Sequence, residues 1–411
     1  MKWIDLEYEP EDDLICLFFV EPAEEKVFEN IALESSVGTW TPVSTIEGTR
    51  LKKLQARVFD INGNLVKVAY PLNLFEPSSI PQLLSSIAGN IFGMKLLRNL
   101  RLLDISLPKE YLKSFKGPKF GVSGVRDLFH LERPLIGTIV KPKLGLSSEK
   151  HARVAYKAFV GGCDQVKDDE NLTDQRFNPF EDRVLKTLKA RDKAQEETGE
   201  RKAYLPNISA ETNQMLSRAE FVEEQGGKYV MIDVLTCGFS ALQTLRDAGF
   251  KLYIHAHRAM HGVITRNKKH GISMLVLAKL FRLIGVDQLH IGAIVGKMEG
   301  EAREVLNIHQ QLNLDKITES QKVLAQDWDS IKPVLSVASG GLHPGKIQDL
   351  VKIFKKDILM QFGGGIHGHP SGTVAGARAV RQALDAALSG VSLREYAKDH
   401  KELQEALEKW S

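Results

Sequence analysis

From residue 135 onward the chain repeats one unit: a short apolar run of strand length, then a stretch whose apolar residues recur at helical spacing. The runs fall at 135–140, 164–166, 203–208, 229–235, 252–254, 288–291, 334–338 and 358–362. Between them, Ala152, Ala155 and Phe159 mark one helical face, and Leu277, Leu280, Phe281 and Ile284 another. Strands that alternate with helices pair in parallel, because each helix carries the chain back to the same end of the sheet. Eight such units in roughly 275 residues match the (β/α)8, or TIM, barrel. A doubly wound open sheet is the alternative, but no Gly-x-Gly-x-x-Gly follows the first strand.

The first part of the chain follows a different pattern. Strands are expected at 14–20, 56–59, 65–69 and 100–107, with helices ending at 29–34 and spanning 80–87. Asn62-Gly63 is read as the hairpin turn between the middle strands. The order βαββαβ suggests an α+β, ferredoxin-like domain with an antiparallel sheet and helices on one face. Gly117-Pro118 opens a glycine-punctuated linker, so the expected domains are 1–116, α+β, and 117–411, the barrel.

Composition narrows the class further. Lys+Arg is 55 against Asp+Glu 52 in 411 residues, a near-balance that argues against a nucleic-acid or membrane-surface binder. Cys16, Cys163 and Cys237 are widely spaced and form no Cys-x-x-Cys pair, which favours a reducing compartment. No uninterrupted apolar run is long enough to span a bilayer, and the acidic N-terminal residues read against a secretory leader. A cytoplasmic protein is expected.

In a barrel of this kind the chemistry lies at the C-terminal ends of the strands. Reactive residues gather there. Strand one runs into Lys141-Pro142-Lys143, strand two into Lys167-Asp168-Asp169-Glu170-Asn171, and strand three ends at Asn207. Strand five gives His255-Ala256-His257-Arg258, and strand six gives His290 and the run from Gly292 to Lys297. Strands seven and eight end in Ser339-Gly340-Gly341 and Gly363-Gly364-Gly365.

The two-residue period points Lys167 and Asp169 to the same side, with Glu170 turning in behind them. Two carboxylates suit Mg²⁺, but a lysine beside them should repel it. Reaction of Lys167 with CO2 removes the conflict, since a carbamate is an anionic oxygen ligand. A plain salt bridge between Lys167 and its acidic neighbours is the alternative. The glycines after strands seven and eight suit a phosphate cradle of backbone N–H groups, or simply tight turns. Arg258 and His290 could clasp a second phosphate. Lys297, between Gly292 and Gly300, suits either a lid that carries charge into the site or an ordinary surface loop.

At these residues the chain resembles the large subunit of ribulose-1,5-bisphosphate carboxylase/oxygenase (Rubisco), nearest the archaeal branch that lacks a small subunit, form III. The resemblance rests on the runs 34–40, 88–93, 141–143, 161–170, 257–261, 296–297, 339–341 and 363–365. It implies that Lys167, carbamylated by an activating CO2, binds one Mg²⁺ with Asp169 and Glu170 and removes the C3 proton of ribulose 1,5-bisphosphate. Lys297 would polarise the second CO2, His257 would assist hydration and proton movement, and Lys141 would protonate the final carbanion, tuned by Lys143. Arg258, His290 and Ser339 would hold one phosphate end and nearby hydroxyls. Gly340, Gly341, Gly363, Gly364, Thr39 and Trp40 would hold the other.

The resemblance further implies that Glu34, Thr39, Trp40 and Asn90 enter the neighbouring subunit's site, with Glu34 pairing the lid lysine. A homodimer, or a larger oligomer of dimers, would then be obligatory. CO2 and O2 would compete as co-substrates, and the pathway would be nucleotide salvage rather than photosynthesis. Ile139 and Ile291 depart from the plant pattern, and no long latch follows Trp410. The alternative is a Rubisco-like enolase or isomerase acting on a related phosphorylated ketose, against which the presence of Lys297, Glu34, Asn90 and His290 argues.

Overall fold

The structure is a computed structural model that describes residues 2–38, 49–294 and 299–410, with 49–50 and 299–301 described by backbone alone. Thr39, Trp40 and Lys297 lie outside the described residues. The chain divides into two compact units: Met1–Gly117 with Met260–Ile284 and Leu314–Lys332, and Pro118–Ala259 with Gly285–Asn313 and Pro333–Ser411.

The first unit holds a five-stranded sheet. Strands Leu14–Glu21, Arg57–Asn62, Leu65–Tyr70 and Asn99–Ser106 pair antiparallel, as the element order βαββαβ leads one to expect. A fifth strand, Gly271–Ile272, comes from far along the chain and runs parallel to Asn99–Ser106. The hairpin turn sits one residue later than expected. Asn62 pairs with Leu65, so the loop is Gly63-Asn64, and only Gly63 has positive φ, at 59°. Glycine at the first central position suits a turn that matches strand twist.

One buried ion pair anchors the strand Asn99–Ser106. Lys279, in the wholly buried helix Met274–Ile284, places Nζ 2.7 Å from Asp104 Oδ1 and 2.6 Å from the Ile105 carbonyl. Oδ2 of Asp104 accepts the N–H of Leu324 at 2.7 Å.

The second unit is the barrel. Its eight strands are Leu135–Ile139, Gln165–Lys167, Ala203–Leu205, Tyr229–Asp233, Tyr253–His257, Gln288–His290, Leu335–Ser339 and Ile358–Phe362. Neighbours pair in parallel around the ring. Strands three and four close it through an Asn207–Met231 bridge, where Met231 N–H donates to Pro206 O at 2.8 Å.

Helix Gly121–Phe129 plugs the N-terminal end, and its Val125 and Phe129 join Leu135, Tyr229, Leu335 and Leu359 in one apolar cluster. Asp287 ties this plug down, its Oδ1 accepting the N–H groups of Phe120 and Gly121, each at 2.8 Å. Along the strands the inward residues turn from apolar to polar: Tyr229 and Met231 precede Asp233, and Leu335 and Val337 precede Ser339. The floor is built for stability, and the rim carries the chemistry. Among the described residues, no helix is long and apolar enough to cross a membrane.

Removing one member of the buried pair leaves an uncompensated charge, so Asp104→Ala should lose about 3–5 kcal/mol. The double variant Asp104→Leu/Lys279→Met should recover most of that loss in denaturant titrations, if the pair rather than side-chain volume is responsible.

Candidate active site

Strand two carries the centre. Lys167 is its last residue, opposite Ile139 on one side and Leu205 on the other. The side chain is only 1% exposed. Its Nζ donates to the Asp168 carbonyl at 2.8 Å, lies 3.3 Å from Met231 Sδ and stands 3.5 Å from Glu170 Oε2. Burial pulls the amine below the ordinary lysine value, against the opposing pull of Glu170 and Asp169.

The carboxylates on either side of the strand do different work. Asp168 turns away from the mouth into a buried cluster. It takes the Tyr204 hydroxyl at 2.6 Å, Arg183 Nε at 3.0 Å and the Asn207 N–H at 2.9 Å, with His151 Nε2 at 3.0 Å. Burial pushes its pKa up, but Arg183 and His151 outweigh that and hold it well below the usual carboxylate range. Asp169 turns the other way. Its Oδ2 accepts Lys141 Nζ at 2.7 Å and its Oδ1 accepts Asn171 Nδ2 at 3.0 Å. Burial opposes ionisation of Asp169 and Glu170, yet the pairing of Asp169 with Lys141 and of Glu170 with Lys167 and His257 keeps both pKa values low.

Opposite them, His257 places Nδ1 2.7 Å from Asp233 Oδ1. A carboxylate only accepts, so this nitrogen carries the proton and Nε2, 3.6 Å from Glu170 Oε2, is left to face the mouth. Both ring nitrogens of His290 are engaged, one with His255 at 2.9 Å and one with Ser339 Oγ at 2.7 Å. Burial pulls the Arg258 pKa down to about 10, against the opposing charge of Glu304. Lys143 is exposed, two residues beyond Lys141.

The glycine runs are open. Gly340 and Gly341 have φ of 105° and 66°, and a Cβ on either, or on Gly364, would meet no described atom within 4 Å. On Gly363 a Cβ would meet only Lys141 Cε, at 3.6 Å. The N–H groups of these four glycines donate to no backbone carbonyl among the described residues, so they are free to receive an anion.

Barrel residues Lys141, Lys167, Asp169, Glu170, His257, Arg258, His290 and Ser339 thus stand at one end of one ring of strands. Glu34 closes helix Glu25–Glu34, and Asn90 opens the turn Asn90–Gly93, both in the first unit. Sequence reasoning missed Asp233. Strand four was expected to run to residue 235, but it ends at Asp233, which the rule of reactive strand ends would then have singled out. Gln288 was passed over, and His255, named at the end of strand five, was given no role, because nothing local in the sequence shows them facing each other.

Two family models cover nearly the whole chain: the catalytic domain of the ribulose bisphosphate carboxylase large chain over residues 121–410, and its N-terminal domain over 2–111. This chain belongs to the ribulose bisphosphate carboxylase large-chain family. Among its relatives, a ribulose bisphosphate carboxylase of Methanosarcina mazei is 56% identical, covering 99% of this chain and 98% of that protein. One of Methanocaldococcus jannaschii is 53% identical over the whole of both chains. The dimeric archaeal Rubisco of Hyperthermus butylicus superposes with a TM-score of 0.93 at 46% identity, covering 99% of this chain and 98% of that one. The octameric enzyme of Pyrococcus horikoshii OT3, solved with sulfate, gives 0.91 at 48% identity, covering 99% and 96%.

The Asp168 cluster allows a pH test. Its folded pKa lies below the unfolded value, so its contribution is complete above the unfolded pKa and is lost as pH falls through the folded one. Asp168→Asn should therefore cost about 3–5 kcal/mol at neutral pH. The gap from the native chain should narrow in acid; a gap that stays constant down to pH ~2 would contradict the assignment.

Proposed function

We propose that this chain carboxylates ribulose 1,5-bisphosphate to 3-phosphoglycerate, with O2 competing for the same intermediate. The observation that carries the proposal is the Lys167 amine, buried at the barrel mouth with Glu170 Oε2 at 3.5 Å and Asp169 beside it. Relatives about half identical over their full length are carboxylases, which favours this reading over the enolase or isomerase alternative.

Burial favours the neutral amine, and a neutral amine is the form that attacks CO2. Asp169 and Glu170 give the mouth two carboxylates, which leaves room for a further oxygen donor. A carbamate on Lys167 supplies one, and the three oxygen-bearing groups fit Mg²⁺. When bound, the ion supplies positive charge beside the sugar's C2 and C3 oxygens, where negative charge develops.

The chain's own residues do the rest. Lys167, modified, takes the C3 proton. His257, held by Asp233, offers Nε2 to the proton that moves during hydration. Lys141, kept at the mouth by Asp169, returns a proton to the last carbanion, with Lys143 beyond it. Arg258 and the glycine N–H groups at 340, 341, 363 and 364 take the phosphates, and Ser339 takes a neighbouring hydroxyl. Lys297, Thr39 and Trp40 keep the roles that the resemblance implies.

We further place the active form as a homodimer or an oligomer of dimers, without a small subunit. There, as the resemblance implies, Glu34 would pair with the lid lysine of the neighbouring subunit's site. Asn90 would join it there. A reducing, cytoplasmic setting suits the three free cysteines.

The test is a supply of Mg²⁺, labelled bicarbonate and ribulose 1,5-bisphosphate, with acid-stable label counted in 3-phosphoglycerate. C3 proton exchange without fixed label would favour the enolase. Lys167→Ala should abolish both exchange and fixation; surviving exchange would remove Lys167 as the base.

A further inference from the structure

The run after strand seven, 339–344, and the run after strand eight, 363–369, carry the four open glycines between them. The two loops touch. A Cβ on Gly365 would overlap the Leu342 carbonyl oxygen and lie 2.9 Å from His343 Cα, so glycine is what permits the approach. A backbone N–H cannot reach for a ligand as a lysine can. How well Gly340, Gly341, Gly363 and Gly364 converge on one anion therefore depends on how the two loops are held.

The last turn of the chain holds them. Trp410 follows helix Lys401–Lys409, and its indole stacks on the His343 imidazole, with centroids 5.9 Å apart and planes at 24°. The same indole lies against the other loop, where a Cβ on Gly368 would meet its Cζ2 at 3.8 Å. Lys409 Nζ donates to the Gly368 carbonyl beside it. The helix is itself pinned: His369 Nε2 donates to the Glu402 carbonyl at 2.9 Å, and Gln382 Oε1 accepts the Leu403 N–H at 2.9 Å. On the barrel side, His367 lies 3.0 Å from the Thr138 hydroxyl and 3.1 Å from that of Thr373, which fastens the second loop to strand one.

The buried side chains of this helix are Leu403 and Ala406, and Trp410 lies past its end, half-buried. What the indole adds is a bridge between two loops. We propose that Trp410 is a positioning residue for phosphate binding: wedged between His343 and Gly368, its ring sets the spacing of the two glycine loops and so the affinity for one end of the sugar bisphosphate. It touches no reacting atom, and its effect falls on binding rather than on the chemical step. This rests on the reading that the glycine loops receive a phosphate of the substrate.

Calorimetric titration of the whole chain with ribulose 1,5-bisphosphate, without Mg²⁺ or bicarbonate, reads binding apart from turnover. Trp410→Ala should raise Kd about tenfold, the worth of one hydrogen bond to a charged group, and raise KM similarly with a smaller change in kcat. Trp410→Phe, which keeps a flat ring on His343, should recover most of that loss. His343→Ala removes the other half of the stack. It should weaken binding as much as Trp410→Ala, and the double variant should be no worse, because both act through one contact. An unchanged Kd in folded Trp410→Ala overturns the inference, as does a Trp410→Phe no better than Trp410→Ala. A double variant weaker by about a hundredfold also overturns it, since the two losses would then be independent. If Trp410→Ala does not fold, His343→Ala carries the test alone, and an unchanged Kd there is equally decisive. A native protein that binds the bisphosphate and shows these losses, yet fixes no CO2, counts against the carboxylase reading and leaves the role of Trp410 standing. An active carboxylase in which neither substitution moves Kd does the reverse, and a native protein that binds no bisphosphate overturns both.

Discussion

An amine buried almost completely at the end of a strand is tolerable only if anions stand within a few ångströms of it. That constraint organises the barrel mouth. Met231 lies below Lys167 and offers only a polarizable sulfur, so the compensating charge comes from above, from Glu170 and Asp169. The alternation of a strand sends Asp168 the other way, where Arg183, Tyr204, His151 and Asn207 take it up. One short segment therefore serves two purposes. Its outward carboxylate is spent on fixing the backbone, and its inward groups are left under-compensated and reactive.

The barrel was legible because its signals are local and repeated. Each apolar run became a strand, and the βα alternation predicted parallel pairing. The signal fails where a contact depends on residues far apart. The two-residue strand Gly271–Ile272 is too short to read, and it joins the first sheet only because the chain returns there. The hairpin slipped by one residue because either Asn62-Gly63 or Gly63-Asn64 satisfies local preference, and the pairing of Asn62 with Leu65 decided it.

The site was legible to the same degree and for the same reason. Lys167, Asp169, Glu170 and His257 stand at strand ends, where a simple rule finds them. Asp233 escaped because Val234 and Leu235, both apolar, extend the run past the true end of strand four. Gln288, and the role of His255, escaped for a deeper reason. Gln288 opens its strand and His255 sits inside one, where polar residues look like interruptions of a core, and only the register that sets His255 against Gln288 reveals a pair.

The rim also shows how an anion can be received. Phosphate carries full charge and is best met by groups with protons to give, such as the Arg258 guanidinium and the N–H groups of Gly340, Gly341, Gly363 and Gly364, which donate to no backbone carbonyl among the described residues. Burial works against the charge on Arg258, and Glu304 offsets part of that cost. His290 meets His255 and Ser339 instead, and burial pulls it toward the neutral form, so the full positive charge at the ends of strands five and six is that of Arg258.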